Sequence, residues 1–130
     1  QPIGEFVVRA ALAAGLDRKP AYRLRLAVDE IATNVITHGY EAAGLSGELT
    51  VEAHLTDTAL TVVLEDAARP FDPRTHRMPE AELEKPLRDR KVGGLGVFLA
   101  LAGVDGFDYQ SAQGRNRSLF TVRRPDAGRA

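Results

Sequence analysis

Two neighbouring segments of the sequence alternate between apolar and polar residues, and together they predict a β-hairpin. Residues 49–55 carry apolar side chains at every odd position, and residues 60–64 carry them at every even position. This period of two is typical of strands that turn one face to a core and the other to solvent. Because only a short connection through Asp57 and Thr58 separates the segments, we expect them to pair antiparallel. The chain therefore contains a sheet whose apolar face other elements must cover.

Segments with helical periodicity precede this hairpin and are suited to cover it. Residues 3–14 carry apolar side chains at spacings of three and four, and Gly15 follows as the predicted stop. A second helix is predicted to begin after Asp17, whose side chain can cap it, and to end at Gly39.

The last part of the chain adds one more helix and a second pair of strands. The helix is predicted over residues 97–104, and the strands over residues 107–112 and 118–123. Gln113 and Gly114 are suited to the turn between these strands.

The order of these elements predicts the fold class. Helices that accompany hairpins of this kind indicate an α+β fold, a two-layer α/β sandwich with the helices on one face of a mostly antiparallel, mixed sheet. We expect a single domain over residues 1–124, followed by a disordered tail over residues 125–130.

The composition excludes several classes of site and partner. The sequence contains no cysteine, which removes disulfide scaffolds, thiolate zinc sites and cysteine nucleophiles. Lys and Arg number 17 against 18 Asp and Glu, so the chain has no overall field that would attract nucleic acid or an acidic membrane. No segment approaches the roughly 20 apolar residues that span a bilayer, and the first residues lack the layout of a signal peptide. We therefore expect a cytoplasmic protein with no direct contact to nucleic acid or membrane.

Three polar residues share one stripe of the second predicted helix, because Glu30, Asn34 and His38 are spaced by four. The carboxamide oxygen of Asn34 can ligate Mg²⁺, a cation that is usually held by few protein groups and by substrate phosphates. The carboxylate of Glu30 can accept a proton from an attacking hydroxyl or water. The same spacing also fits an ordinary solvated helix face, and the spacing alone does not separate the two interpretations.

Asp66 stands at the end of the second strand, where a long segment rich in proline and charge begins. A carboxylate in this position can accept a hydrogen bond from an exocyclic amine, as the recognition of adenine would require. It can equally begin a turn, since Pro70–Pro73 has turn composition. Residues 67–92 exceed the length of ordinary connections and are therefore expected to have a function of their own. A short helix is predicted within them at residues 79–85.

Gly93–Gly96 opens the third predicted helix, and Arg88, Arg90 and Lys91 stand just before it. Glycines let backbone N–H groups approach a ligand closely, and the N–H groups at a helix start favour an anion such as phosphate. The alternative is a flexible hinge. The segment does not fit a Walker A loop, because no Gly-Lys-Ser or Gly-Lys-Thr follows it.

The order of these motifs is more specific than any one of them. Along the chain the segments are Leu26–Asn34 with His38–Tyr40, Asp66 with Pro70–Pro73, Gly93–Gly96, and Gly114–Arg117. They are similar to the N box, the G1 region, the G2 box and the closing hairpin of the Bergerat-type ATP-binding fold, which histidine kinases, gyrase-type ATPases and Hsp90 share. Within that superfamily the chain most resembles the bacterial anti-sigma factor serine kinases, over residues 6–124.

The resemblance implies a role for each matched position. Glu30 would be the catalytic base, Asn34 the Mg²⁺ ligand and Asp66 the reader of adenine, while residues 67–92 would form the ATP lid. The positions that would bind the nucleotide are Asn34, Asp66, Ala68, Phe71, Arg90, Gly93, Gly94, Leu95 and Gly96. The family usually has glycine where Ala68 stands. A methyl group there would weaken ATP binding if the backbone needed a positive φ or lay against the nucleotide.

By the same resemblance the chain would be an ATP- and Mg²⁺-dependent serine/threonine-protein kinase that acts as an anti-sigma factor. It would phosphorylate an anti-sigma factor antagonist of the STAS type, sequester a sigma factor and form homodimers. The alternative is a non-catalytic ATP-binding module of a larger signalling protein, for example one that carries a PP2C-type phosphatase. The departure at Ala68 motivates this alternative.

Overall fold

The first two helices form much as the apolar periodicity predicts. The structure is a computed structural model and describes residues 2–73 and 94–125. Helix α1 spans Pro2–Ala13 and helix α2 spans Arg18–Asn34. Gly15 follows α1 with a φ of +90°, a left-handed conformation that glycine adopts without a steric penalty. Asp17 occupies the N-cap position of α2, but the predicted side-chain capping hydrogen bond is not formed.

The helical path continues past Gly39, and the prediction that this glycine ends the helix is wrong. Val35–Tyr40 form a π-helix and Glu41–Ala43 form a 3₁₀ turn. The path stops at Gly44, whose φ of +70° is left-handed. Gly39 is needed for packing instead, since a Cβ atom at this position would lie 2.8 Å from the Cβ atom of Ala68. Single π-helical turns are rare and often occur at functional sites.

The described strands form one four-stranded sheet. They are β1 (Thr50–Leu55), β2 (Ala59–Asp66), β3 (Gly106–Ala112) and β4 (Arg115–Arg123), in the spatial order β1-β2-β4-β3. Each pair of neighbouring strands is antiparallel. The prediction of an α+β fold is confirmed, and these strands form a wholly antiparallel sheet where a mostly antiparallel, mixed one was expected.

The second hairpin has a tight turn and extends β4 beyond the predicted strand. Its turn, Gln113–Gly114, has φ values of +54° and +74°, the left-handed pair of a type I′ turn. β4 begins at Arg115 and is therefore longer than the predicted strand at residues 118–123. The added residues pair Asn116 with Ser111 of β3 and with Asp66 of β2.

Helix α3 spans Gly94–Ala102 and packs against α2, and the helices cover one face of the sheet. Phe120 is fully buried and meets the ring of Phe107 edge to face, with ring centroids 5.1 Å apart. Burial of one such side chain contributes roughly 1.5–3 kcal/mol. Other core side chains from α1, α2, β2 and β4 are Val7, Leu24, Val28, Ile31, Leu60, Val62, Leu64 and Val122.

Several predictions concern residues outside the described ranges. These are the short helix at residues 79–85, the lid beyond residue 73, the tail beyond residue 125, and the positions Arg90 and Gly93. Within the described ranges, no helix is both long enough and apolar enough to cross a bilayer.

Candidate functional site

The carboxylate of Asp66 lies at the end of β2 and is 3% exposed. Its Oδ1 atom accepts two hydrogen bonds, one from the backbone N–H of Ala68 at 2.9 Å and one from Nδ2 of Asn116 at 2.8 Å. No described residue donates to Oδ2. One oxygen is therefore held by the fold, and the other remains an acceptor for a ligand.

Asn116 of β4 is the centre of the hydrogen bonding around Asp66. Its Nδ2 also donates to the carbonyl oxygen of Ala68 at 2.8 Å. Its Oδ1 accepts from Ser111 Oγ at 2.7 Å and from the Tyr109 hydroxyl at 3.2 Å. Both amide hydrogens and both lone pairs of this 2% exposed side chain are thus used.

The Tyr109 hydroxyl joins this network to the segment that follows β2. It accepts a hydrogen bond from the backbone N–H of Phe71 at 2.8 Å while it donates to Asn116. Burial raises the pKa of Tyr109 above 10.0, and the neighbouring charge of Asp66 acts in the same direction against the hydrogen bond from Phe71. The phenol therefore stays protonated near neutral pH and keeps its donor.

On α2, Asn34 and Glu30 have no such partners. Asn34 is 9% exposed at the last position of the α-helix, and its side chain makes no hydrogen bond to a described residue. Glu30, one turn earlier, is half-buried and makes neither an ion pair nor a hydrogen bond within the described ranges. The neighbouring charges of Arg25 and Asp29 pair with each other at 3.4 Å.

The helical path beyond Asn34 touches the segment beyond Asp66. The ring of His38 stacks on that of Phe71, with centroids 5.8 Å apart and planes 14° from parallel. The backbone N–H of Arg69 donates to the carbonyl oxygen of Gly39 at 3.3 Å. The structure thus joins the segments predicted as N box and G1 region.

Tyr40, whose side chain is buried, also joins the end of the π-helix to the segment beyond Asp66. Its hydroxyl donates to the carbonyl oxygen of Glu48 at 3.0 Å and accepts from the backbone N–H of Ala67 at 2.9 Å. The first residue after β2 is therefore tied to the end of the π-helix.

Ala68 fits this contact without backbone strain. Its φ is not positive, and its side chain is 6% exposed. The methyl group faces Gly39, which offers the room because it has no side chain. The first of the two conditions under which Ala68 would weaken ATP binding, a positive φ, is therefore not met in this chain.

The glycines predicted to hold phosphate lie in the first turn of α3. Gly94 and Gly96 belong to that helix, and Leu95 stands between them. N–H groups of a first helical turn have no partner within the helix and favour an anion. A separate cavity of about 360 Å³ between α2 and α3 is lined by Leu26 and Leu99 among others, and contains neither Asp66 nor Asn34.

Asn116 and Tyr109 were not among the predicted site residues. The sequence does contain a signal for the first of them. Asn116 and Ser118 are in phase with the core residues Phe120 and Val122, and both are buried. Polar residues at inward positions of a strand require hydrogen-bond partners, which makes them candidates for a site.

Residues 1–121 match the family described as histidine kinase-like ATPase domain. Among curated proteins, serine-protein kinase RsbW of Halalkalibacterium halodurans is 30% identical over 93 residues, which cover 70% of this chain and 56% of that protein. Serine-protein kinase RsbW of Listeria innocua is 32% identical over 88 residues, which cover 66% and 55%. The chain spans about half the length of these curated relatives.

A solved structure shares the fold at low sequence identity. The histidine kinase AdeS of Acinetobacter baumannii aligns with a TM-score of 0.53 and 14% identity, over 81% of this chain and 47% of that chain. This likeness concerns the fold alone. The serine-protein kinase relatives confirm the resemblance that the ordered motifs indicated.

Proposed function

Because the chain belongs to the histidine kinase-like ATPase domain family, we propose that it binds ATP with Mg²⁺ and phosphorylates a serine of a partner protein. The observation that carries this proposal is the buried carboxylate of Asp66, with Oδ1 held by two N–H donors and Oδ2 left without a partner among the described residues. An acceptor fixed in this way suits the amino group of adenine. The serine-protein kinase relatives support the type of reaction.

Asn34 supports the Mg²⁺ part of the proposal. Its side chain makes no hydrogen bond to a described residue, and its amide atoms are not enclosed by the fold, so the carboxamide oxygen is available to a ligand. A carboxamide oxygen is a suitable ligand for Mg²⁺, which takes few protein ligands together with substrate phosphates. Bound Mg²⁺ would neutralise charge on the phosphoryl oxygens.

Glu30 would act as the catalytic base. Its carboxylate has no partner within the described ranges and stands one helical turn before Asn34. It would accept the proton of the serine hydroxyl while the hydroxyl oxygen bonds to the γ-phosphorus and the bond to ADP breaks. The N–H groups of the first turn of α3, at Gly94 and Gly96, would bind phosphate oxygens.

The proposed partners are those of the anti-sigma factor serine kinases that the motifs resemble. The protein would phosphorylate a STAS-type antagonist, sequester a sigma factor in the cytoplasm and act as a homodimer. The relatives support a serine-protein kinase, and the choice of partners follows from the resemblance.

Nucleotide binding is tested by calorimetry with ATP and Mg²⁺. We expect the wild type to bind and Asp66→Asn to lose affinity at least about tenfold, because a hydrogen bond to a charged group contributes roughly 1.5–3 kcal/mol. Asp57→Asn is the matched control, since Asp57 is exposed in the turn between β1 and β2. Equal affinities of the wild type and Asp66→Asn would contradict the role of Asp66.

Transfer is tested with γ-labelled ATP and a STAS-type antagonist. We expect a labelled serine, and we expect Glu30→Gln to slow the transfer by about 10²–10⁴-fold, the usual contribution of a general base, while ATP affinity is kept. Glu41→Gln is the control, because Glu41 is exposed in the 3₁₀ turn. Transfer at the wild-type rate in Glu30→Gln would remove Glu30 from the mechanism.

The alternative, a non-catalytic ATP-binding module, predicts a different pair of results. ATP would bind and favour a conformation that exposes a surface for a partner protein, and no antagonist would be labelled. Its motivation was the departure at Ala68. The packing of that methyl group against Gly39, with φ not positive, removes one of the two grounds for that motivation, the backbone strain.

A further inference from the structure

Asn116 connects three segments of the chain through one buried side chain. Its Nδ2 reaches Asp66 at the end of β2 and the carbonyl oxygen of Ala68, while its Oδ1 reaches Ser111 and Tyr109 of β3. Because all of these bonds are 3.2 Å or shorter, the amide cannot turn without losing several of them at once.

The orientation of this amide is determined by its partners. After a flip, Oδ1 would face the Asp66 carboxylate and the Ala68 carbonyl oxygen, so that acceptor would meet acceptor twice. In the observed orientation, hydroxyl groups of Ser111 and Tyr109 donate to Oδ1. The N–H pair of Asn116 is therefore always directed at the segment beyond β2.

That orientation decides which oxygen of Asp66 is available. Both N–H donors, from Asn116 and from the Ala68 backbone, reach the same atom, Oδ1. The two oxygens of the carboxylate are equivalent, and the two donors fix the plane of the group, so that one oxygen, Oδ2 here, keeps a constant direction and has no protein partner among the described residues. A base that presents an amino group there is bound, and a base that presents a carbonyl oxygen is repelled.

We propose that Asn116 is the positioning residue that sets the selectivity of this site for a 6-aminopurine, and that Tyr109 couples it to the segment at Phe71. This inference rests on the proposed binding of ATP. The coupling follows from the Tyr109 hydroxyl, which bonds to Asn116 on one side and to the Phe71 backbone on the other. Phe71 in turn stacks on His38, so the arrangement extends from the base-reading carboxylate to the helical path beyond Asn34.

The test compares the affinities of ATP and of purine riboside triphosphate, which lacks the 6-amino group, by calorimetry. We expect the wild type to prefer ATP by about 10–100-fold, the range for a hydrogen bond to a charged acceptor. Asn116→Ser should reduce this preference to about threefold or less, because one of the two donors that hold Oδ1 is lost together with the bond that ties Asn116 to the Ala68 carbonyl oxygen. Ser111→Ala is the matched control and should keep the preference, because both bonds of Asn116 Nδ2 remain.

A role limited to folding predicts a different pattern. If Asn116→Ser weakens both nucleotides by the same factor and the preference is kept, the inference is overturned. If the wild type binds both nucleotides equally, base reading at Asp66 and this inference fail while triphosphate binding survives. If the wild type binds neither nucleotide, the proposed function itself fails.

Tyr109→Phe carries the test if Asn116→Ser does not fold, because it removes a single oxygen atom. We expect its preference for ATP to fall by several-fold, and hydrogen exchange of the Phe71 amide, followed by NMR, to become faster than in the wild type. A folded Tyr109→Phe variant with the wild-type preference and wild-type exchange at Phe71 would overturn the coupling.

Discussion

Asn34 and Asn116 are both buried asparagines, with exposed fractions of 9% and 2%, but their surroundings are opposite. Asn116 uses every donor and acceptor of its amide within the fold. Asn34 uses none of them with a described residue. The amide of Asn34 is not enclosed, so its lack of a partner carries no burial penalty and it contributes no hydrogen bond to the described fold. The comparison separates the Asp66 half of the candidate site, whose polar groups are held by hydrogen bonds within the fold, from the α2 half, whose polar groups Glu30 and Asn34 have no partner among the described residues.

The largest expected effect is the loss of stability on substitution of Asn116, the asparagine whose hydrogen-bonding groups are all used. Asn116→Ala should lower the free energy of unfolding by about 2–4 kcal/mol, because the buried carboxylate of Asp66, the half-buried Tyr109 and the exposed Ser111 all lose a partner. Asn34→Ala should change it by less than about 0.5 kcal/mol or raise it, because no bond to a described residue is lost. Urea unfolding followed by circular dichroism measures both variants. A loss for Asn34→Ala as large as that for Asn116→Ala would end the distinction between the two halves.

The contact between the two halves is expected to show the next largest effect. Gly39→Ala should cost about 1–3 kcal/mol, because the new methyl group would overlap that of Ala68 at 2.8 Å. The double variant Gly39→Ala/Ala68→Gly should recover most of this loss. Urea unfolding of the wild type, both single variants and the double variant measures the coupling in a double-mutant cycle. Gly106→Ala is the control, because its Cβ atom would meet Thr121 at an ordinary 3.6 Å. Additive losses in the cycle would show that the pair is not matched in size.

The elements that could be predicted from the sequence are those that local patterns determine. The hairpin of β1 and β2 follows from alternation over neighbouring residues, and its register pairs Leu55 with Leu60 as a short turn requires. The helical stripe that carries Glu30 and Asn34 follows from a spacing of four in the same way. Asp66 was proposed as a site residue because it stands at the end of a strand, and Asn34 because it lies one turn after Glu30 on that stripe.

The rest depends on contacts between distant parts of the chain. Gly39 looks like a helix stop in the sequence, and only its contact with Ala68 shows that it is a packing position within a π-helix. The central role of Asn116 depends on the register of β2, β3 and β4, which places it opposite both Asp66 and Ser111. The inward asparagine of β4 was a signal, but its partner Asp66 comes from β2, whose pairing with β4 the sequence pattern does not specify.

The smallest expected effect is on thermal stability at alkaline pH, where the phenol of Tyr109 in the Asp66 half ionises. The folded state raises the pKa of Tyr109 above 10.0, mainly because the phenol is buried and also because Asp66 lies nearby. The protonated form is therefore favoured by folding, so its contribution to stability is complete below about pH 10 and is lost as the pH rises through the folded pKa. As the pH rises above about 10 towards the folded pKa, the melting temperature of the wild type should fall more steeply than that of Tyr109→Phe, which has no proton to lose. Tyr22→Phe, at a ring that is 55% exposed on α2, should keep the wild-type slope. If the melting temperatures of the wild type and Tyr109→Phe fall with pH at the same rate, ionisation of this phenol does not affect the network. The Asp66 half would then be held by Asn116 without a contribution from Tyr109.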